Sequence, residues 1–237
     1  MNKQTFLTLL ATFALLFSFT FSCHAKGKDK AKHVVFIGLD GWGAYSLPKA
    51  DMPNVKKLME DGAYTLKKRS ALPSSSAINW ASMFMGAGPE LHGYTEWGSK
   101  TPELPSRVLN KNGIFPTVFQ LLRDARPEAE IGCLYEWEGI KYLVDTLSLS
   151  YHYHVADCNK TPKELGNMAS SYIKEKHPAL VAICYDGPDH TGHTAGHDTP
   201  EYYEKLKELD VYVGQIVQAV KDAGMLDDSI FILTSDH

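Results

Sequence analysis

Acidic and histidine side chains follow three apolar segments of this chain, just where each segment ends. These side chains are Asp40, Asp189, His193, Asp236 and His237. In an open parallel sheet, ligands bind beyond the carboxyl ends of the strands, so three such ends would meet at one site. Carboxylate oxygens and imidazole nitrogens form a zinc-type ligand set. The pattern therefore predicts a shared metal site.

Each of these motifs also has a plain structural explanation when it is taken alone. Asp189 and His193 reach one ion only if the chain turns between them, and a polar loop facing water would contain the same residues. Asp40 stands in an ordinary Asp-Gly turn signal. His190 and His197, which lie nearby, are interpreted as supporting or solvent-facing residues. The metal hypothesis gains its weight from the three strand ends together.

A serine-rich segment, 72–80, supplies a candidate nucleophile. The segment enters a predicted helix whose first free N–H groups and positive dipole end favour anions. A serine hydroxyl held on a metal there would have a lowered pKa and could attack phosphorus. The alternative is that one of the three serines only caps the helix.

Strand-like and helix-like segments alternate along the chain after residue 32. The predicted strands are 33–39, 63–72, 130–135, 180–185 and 229–234, and the predicted helices are 53–62, 76–85, 115–126, 161–176 and 199–223. Thr161 and Thr199 are the candidate N-caps of the last two helices, because each precedes a proline. The alternation predicts an α/β fold with a doubly wound, largely parallel central sheet flanked by helices. Residues 33–237 contain no linker and are interpreted as one domain.

The N-terminus has the organisation of an export signal. Lys3 precedes a mostly apolar run, 6–21, so residues 1–25 are predicted to be a signal peptide and 26–32 a short basic tether. An uncleaved membrane anchor needs about 18–20 apolar residues, which this run does not reach. Lipidation of Cys23 is a further alternative. The protein is therefore expected to be exported, as a periplasmic, secreted or lipid-anchored protein.

The net charge limits the classes of binding partner, and the cysteine content limits the disulfide bonds that can form. The formal net charge of -4 argues against nucleic acid as the main partner. Cys184 lies inside an apolar segment and is predicted to be a buried small hydrophobe. A bridge between Cys133 and Cys158 stays open, since an exported protein permits disulfides.

The order of the motifs resembles the type I phosphodiesterase/nucleotide pyrophosphatase branch of the alkaline phosphatase superfamily. That branch has an Asp after its first strand and then a Pro-x-x-Thr/Ser-x-x-Asn segment. A Gly-x-x-Pro-Glu-x-His-Gly stretch, Pro-Asp-x-x-Gly-His and Ser-Asp-His-Gly follow. The matching parts of this chain are Asp40 and the segments 73–79, 86–93, 188–193 and 235–237. The resemblance covers residues 33–237 and implies an alkaline-phosphatase-like fold.

Carried over by position, the resemblance implies a two-zinc phosphodiesterase or nucleotide pyrophosphatase. The implied ligands are Asp189 and His193 for the first ion, and Asp40, Ser76, Asp236 and His237 for the second. Ser76 would be the nucleophile that forms a phosphoserine intermediate, and Asn79 would help to hold a phosphoryl oxygen. The expected substrate is a small phosphodiester or nucleotide and not a nucleic-acid duplex.

The chain departs from the family pattern at four places. Ser76 stands where Thr is usual, Ile78 where Pro is usual, and Gly187 where Glu is common. The first zinc normally takes another histidine well downstream of the Ser-Asp-His motif, and the sequence ends at His237. The chain is therefore expected to be truncated at its C-terminus, with the occupancy of one ion in question.

Other functions remain open from the sequence. A phosphomonoesterase or phosphotransferase would share the same core and differ in the groups that meet the extra phosphate charge. A sulfatase fits poorly, because its precursor needs Pro and Arg where this chain has Ile78 and Trp80. A truncated, non-catalytic metal-binding protein is the alternative from another class. The aromatic residues Trp97, Tyr135 and Trp137 are assigned to packing before substrate stacking.

Overall fold

The computed structural model describes residues 31–156 and 162–237, and a five-stranded sheet runs through them. The strands are β1 (His33–Leu39), β2 (Ile131–Tyr135), β3 (Tyr151–His154), β4 (Leu180–Tyr185) and β5 (Ser229–Thr234). All pairings are parallel, in the order β3-β2-β4-β1-β5. The predicted α/β class with a parallel sheet is confirmed.

Helices cover both faces of this sheet. They are α1 (Pro53–Asp61), α2 (Ser76–Met85), α3 (Pro89–His92), α4 (Val118–Ala125), α5 (Pro162–Lys176), α6 (Gly187–Ala195) and α7 (Pro200–Asp222). The odd-numbered residues of β4 pack with α5 and α7, and its even-numbered residues pack with α2 and α4. Every residue of β4 is buried, which explains its uninterrupted apolar sequence.

The register of the sheet brings the carboxyl ends of β1, β4 and β5 side by side. Leu39 pairs with Tyr185, and Gly38 pairs with Thr234. The backbone N–H of Asp40 then donates to the Tyr185 carbonyl at 2.9 Å, one residue beyond the strand. The residues that follow these three strands therefore emerge at one edge of the sheet.

Three segments differ from their predicted structure. Residues 63–72 are irregular and not a strand, because no sheet edge in the described part of the chain pairs with them, and Tyr64 stays 64% exposed. Residues 188–193 lie in α6 and not in a turning loop. The sequence pattern missed β3, whose Tyr-His alternation belongs to a half-exposed edge strand.

Several smaller predictions can be compared with the described residues. Thr199 caps α7, since its hydroxyl accepts a hydrogen bond from the Tyr202 N–H at 3.3 Å. Cys133 and Cys184 are free and buried, so Cys133 does not form the bridge that was left open. The predicted signal peptide, Cys158 and the Thr161 cap lie outside the described residues. Among the helices described, none has the length and apolar character needed to cross a bilayer.

Candidate metal centre

Three side chains from different strand ends converge at this edge of the sheet. Asp40, Asp189 and His237 each offer one ligand atom, and these atoms lie within 4.8 Å of one another. His237 Nε2 is 3.3 Å from Asp40 Oδ1 and 3.7 Å from Asp189 Oδ1. Such separations suit atoms that bind one divalent ion, or two ions about 3.5–4 Å apart, with each metal–ligand bond about 2.0–2.2 Å long.

Asp236 lies beside this cluster and is fully buried. Its Oδ1 accepts a hydrogen bond from the Gly41 N–H at 3.1 Å. Its Oδ2 is 3.5 Å from His237 Nε2 but has no hydrogen-bond partner in the described residues. Asp189 Oδ1 is buried and unpartnered in the same way. Because a buried carboxylate oxygen without a partner is costly, the donor set fits a divalent cation at this site.

The electrostatics of the cluster agree with this fit. Burial raises the pKa of Asp189 and, more strongly, that of Asp236, and the neighbouring Asp40 carboxylate raises both further. The hydrogen bond to Asp40 raises the pKa of His237 to about 9. The carboxylates thus repel one another, and a cation among them would relieve the repulsion.

Asp40 is held in place by an indole. Trp80, fully buried in α2, donates from Nε1 to Asp40 Oδ2 at 2.8 Å. This bond occupies one carboxylate oxygen and leaves Oδ1 facing His237 and Ser76. Such contacts behind a ligand fix its orientation and raise metal affinity.

The turn that follows Asp40 is fixed by a tyrosine and by close packing. The Tyr202 hydroxyl donates to the Gly41 carbonyl at 2.8 Å and accepts from the Gly43 N–H at 3.1 Å. Gly41 has a φ of +65°, and a Cβ there would come within 2.9 Å of the Asp189 Cα. Only glycine therefore lets β1 and α6 approach closely enough for Asp40 and Asp189 to share a site.

The two ligands predicted after β4 lie one turn apart on α6. His193 Nε2 is 3.4 Å from Asp189 Oδ2, although 77% of the His193 side chain is exposed. The helix supplies the proximity that a turn was expected to supply, because residues four apart share a helical face. Asp189 consequently presents Oδ1 to His237 and Oδ2 to His193.

Ser76 is the serine that faces the cluster. It opens α2, and its Oγ lies 3.5 Å from Asp40 Oδ1 and 3.4 Å from His237 Nε2. The N-cap position belongs to Ser75, whose side chain makes no capping hydrogen bond. Ser74 instead contacts Ser70, with their hydroxyl oxygens 2.8 Å apart. The alternative in which the serines only cap the helix is thus not supported by their contacts.

Asn79 lies one turn further along α2, and its amide is engaged with the loop before the helix. Its Oδ1 accepts from the Ala71 N–H at 2.6 Å. Its Nδ2 donates to the carbonyls of Ser75 at 3.0 Å and Ala71 at 3.3 Å. These bonds hold the loop against the helix start, and the predicted contact with a phosphoryl oxygen stays a prediction.

Some contributors to the site were not found from the sequence. Lys68 Nζ donates to the carbonyl of Ser235 and, at 3.5 Å, to that of Asp236. From the sequence, Trp80 and Tyr202 resemble ordinary core residues, because each lies on an apolar stripe of its helix. Each contacts the site through a single polar atom, Trp80 Nε1 or the Tyr202 hydroxyl. Of the three aromatic residues considered for stacking, Tyr135 is buried, whereas Trp97 is 69% exposed.

Known sequences similar to this chain point to one family. A family model described as type I phosphodiesterase / nucleotide pyrophosphatase matches residues 34–237. Bis(5'-adenosyl)-triphosphatase enpp4 of Mus musculus is 26% identical over 220 residues, which are 88% of this chain and 47% of that protein. Ectonucleotide pyrophosphatase/phosphodiesterase family member 1 of Mus musculus is 24% identical over 213 residues, or 86% and 23%. The chain thus spans about half or less of the length of these relatives.

Solved structures share the fold. Murine ectonucleotide pyrophosphatase / phosphodiesterase 5, as an inactive variant in complex with AMP, has a TM-score of 0.70 at 19% identity, over 87% of this chain and 57% of that chain. A 2-O GAG sulfatase has a TM-score of 0.68 at 12% identity, over 88% and 58%. The expected alkaline-phosphatase-like fold is confirmed by these likenesses.

Proposed function

The chain belongs to the type I phosphodiesterase / nucleotide pyrophosphatase family, and we propose that it hydrolyses phosphodiester or pyrophosphate bonds with Ser76 as the nucleophile. The observation that carries this proposal is the position of the Ser76 hydroxyl. It lies within 3.5 Å of both Asp40 and His237, beside buried carboxylate oxygens that lack partners. A nucleophile next to a cation-binding cluster is the arrangement that phosphoryl transfer needs.

Two zinc ions fit the residues of this edge. Asp40, Asp236, His237 and the Ser76 oxygen would hold one ion, and Asp189 and His193 would hold the other. Bound divalent ions would neutralise the phosphate charge and lower the pKa of the serine hydroxyl.

The chain's own groups then divide the reaction into two displacements. Ser76 Oγ forms a bond to phosphorus while the bond from phosphorus to the leaving oxygen breaks, and the hydroxyl proton ends on the leaving group. Water next attacks the phosphoserine, which returns a proton to Ser76 and releases the phosphate product. Asn79 would bind a phosphoryl oxygen after its longer bond, 3.3 Å to the Ala71 carbonyl, has opened.

Nucleotides are the proposed substrate class. One curated relative is named as a bis(5'-adenosyl)-triphosphatase, and a structural relative was solved with AMP. The proposed location is outside the cytoplasm, with residues 1–25 as the signal and lipid attachment at Cys23 as the alternative to secretion. Such a location would give the enzyme access to nucleotides released from cells.

The test is a matched pair of nucleophile variants in the metal-loaded protein. Ser76→Ala should reduce the hydrolysis of an aryl phosphodiester by roughly 10⁴-fold or more, since the covalent route is lost. Ser76→Thr keeps the hydroxyl and should retain activity. Metal analysis should find about two zinc ions per chain in both variants.

Other outcomes would identify the alternatives. Ser76→Ala with full activity would remove Ser76 from the mechanism. A large preference for aryl phosphomonoester over diester in the unmodified protein would replace the proposal with a phosphomonoesterase of the same superfamily. Protein that binds no metal and hydrolyses neither substrate would support a non-catalytic role.

A further inference from the structure

A cavity of about 370 Å³ lies between the second half of α2 and the loop that precedes this helix. Lys68 and Arg69 belong to its loop side, Asn79 belongs to its helical side, and Gly86 lies at its end. Small-molecule sites in proteins have volumes of roughly 300–1,000 Å³. The cavity therefore has the size of a site for one small ligand or for one part of a larger ligand.

The helical side of the cavity continues the face of α2 that carries Ser76. Asn79 and Met83 both line the cavity, and they follow Ser76 by three and seven residues, a spacing that shares one helical face. At 1.5 Å per residue, Asn79 lies about 4.5 Å along the helix axis from Ser76, and Gly86 lies about 10 Å beyond Asn79. A group bound at the Asn79 end would thus be a direct neighbour of a phosphate under attack by Ser76.

The loop side of the cavity is fastened to the same end. Asn79 Oδ1 accepts from the Ala71 N–H at 2.6 Å. Lys68 Nζ donates to the carbonyl of Ser235 and, at 3.5 Å, to that of Asp236. Lys68 therefore lies between the cavity and the metal centre. An ammonium group has three N–H donors, so one donor remains for a ligand.

The charge of the cavity differs between its two ends. Arg69 is exposed, and its guanidinium forms no hydrogen bond or ion pair with the residues that the structure describes. Its planar fork of N–H donors matches the oxygens of a phosphate group. At the other end, a Cβ at Gly88 would fall 2.4 Å from a carboxylate oxygen of Glu90. An anion is therefore favoured beside Asn79, between Lys68 and Arg69, and disfavoured beside Gly88.

From this arrangement we propose that the cavity binds a second phosphate group of the substrate, with Arg69 and Lys68 as its cationic contacts. The inference rests on the proposed function and narrows its substrate class to molecules in which a bridging oxygen joins a second phosphate to the scissile one. The added group forms charge-assisted hydrogen bonds with a guanidinium and an ammonium. A simple phosphodiester has no such group and leaves both cations without a ligand.

The experiment compares two substrates of one nucleoside. Thymidine 5'-triphosphate carries further phosphates, whereas the p-nitrophenyl ester of thymidine 5'-monophosphate carries only the scissile one. We expect Arg69→Gln to lower the ratio of kcat/KM for the triphosphate to kcat/KM for the ester by on the order of tenfold or more. The loss should lie mainly in KM for the triphosphate, because hydrogen bonds between charged groups are removed.

Lys67→Gln is the matched control. It removes one positive charge from the same loop, but Lys67 does not line the cavity. Its ratio should stay within about twofold of that of the unmodified protein, since an exposed charge outside the site is screened by solvent and salt. Lys68 is left unchanged in all variants, because its contact with the Asp236 carbonyl would mix effects on the metal centre with effects on the cavity.

Two further variants keep the result decisive. Arg69→Lys retains the charge but loses the planar fork, so its ratio should fall between those of the unmodified protein and Arg69→Gln. If Arg69→Gln does not fold, as judged by circular dichroism, Arg69→Met replaces it. Equal ratios in Arg69→Gln and Lys67→Gln would make Arg69 a solvated surface residue and overturn the inference, while the proposed function would stand. An unmodified protein that hydrolyses neither substrate would overturn the proposed function and the inference with it.

Discussion

Two buried acids of this protein, Asp210 in α7 and Asp236 after β5, have opposite surroundings. Asp210 accepts hydrogen bonds from Asn54 N at 3.0 Å, Asn54 Nδ2 at 2.8 Å and Val55 N at 2.8 Å, at the first turn of α1. Asp236 is at least as deeply buried, yet its Oδ1 has one donor and its Oδ2 has none among the described residues.

The difference separates an acid that stabilises the fold from one that we propose as a metal ligand. A carboxylate that meets N–H donors at a helix N-terminus stabilises that helix. A carboxylate buried beside Asp40 and Asp189 repels them and destabilises its surroundings until a cation binds. Burial alone therefore does not indicate the role of an acidic residue. The number of hydrogen-bond donors around its carboxylate does.

The largest expected effect on activity comes from neutralising Asp236, the acid whose Oδ2 has no donor among the described residues. Asp236→Asn should lower kcat/KM by on the order of 10³-fold or more, because the proposed metal ligand, which would contribute several kcal/mol to transition-state stabilisation, is lost. The unfolding free energy of the metal-free variant should stay equal or rise, since repulsion with Asp40 is removed. Phosphodiesterase assays and urea melts of stripped protein measure both. A variant that is less stable and fully active would contradict the comparison.

The reciprocal change should show the reverse behaviour. Asp210→Asn should reduce the free energy of unfolding by about 2–3 kcal/mol, since one charged acceptor at the α1 N-terminus becomes an amide group that faces N–H donors. Activity per folded molecule and metal content should not change. A loss of zinc in this variant, measured by metal analysis at a temperature where it is folded, would show that the two regions are coupled.

Much of the architecture was predictable because its signals are local. The apolar runs of β1, β4 and β5 and the Thr-Pro start of α7 all lie where the sequence placed them. The prediction of a strand at 63–72 was wrong, because a strand-like sequence forms a strand only where it can pair with the edge of a sheet. Edge strand β3 was missed for the converse reason: its pairing with β2 outweighs a polar sequence.

The part of the site that could be predicted from the sequence consists of residues that follow the carboxyl ends of strands. Asp40, Asp189 and His237 were found from their positions after apolar runs, and the structure brings these three together. Trp80 and Tyr202 were not found, because each acts through one polar atom of a side chain that is otherwise packed in the core. A three-dimensional contact of this kind has no counterpart in residue spacing.

The support behind Asp40 allows a smaller and more specific test. Trp80→Phe keeps a smaller aromatic ring but removes the N–H that donates to Asp40 Oδ2, so metal affinity should fall by about 10–100-fold. Trp42→Phe is the matched control, because that indole donates to Ser46 at 3.0 Å and not to a ligand. Chelator competition compares the two variants. Equal affinities would show that the Trp80 bond does not matter for metal binding.

A third buried acid, Glu136 after β2, has a hydrogen-bond donor for only one of its two carboxylate oxygens among the described residues. Its Oε2 accepts from the Asp186 N–H at 2.7 Å, and its Oε1 has no partner in the part of the chain described. Burial raises the pKa of Glu136 to about 8, and the charge of Asp186 adds to this effect, while the N–H groups of Asp186 and Gly187 and the charge of Lys205 act in the opposite direction. The Glu136 carboxyl therefore avoids the cost of a buried charge by keeping its proton.

This difference predicts an effect on stability that depends on pH. The unfolded chain ionises Glu136 near pH 4.5 and the folded chain near pH 8, so the folded state binds more protons between these values and stability falls as the pH rises through them. Glu136→Gln cannot ionise. Its unfolding free energy should match that of the unmodified protein near pH 4.5 and exceed it by a growing amount as the pH rises toward 8. Metal content should stay the same, because Glu136 is not in the ligand cluster. Urea melts across this range would refute the assignment if the two curves ran parallel, and a variant that lost zinc would place Glu136 with Asp236 as an acid that serves the metal.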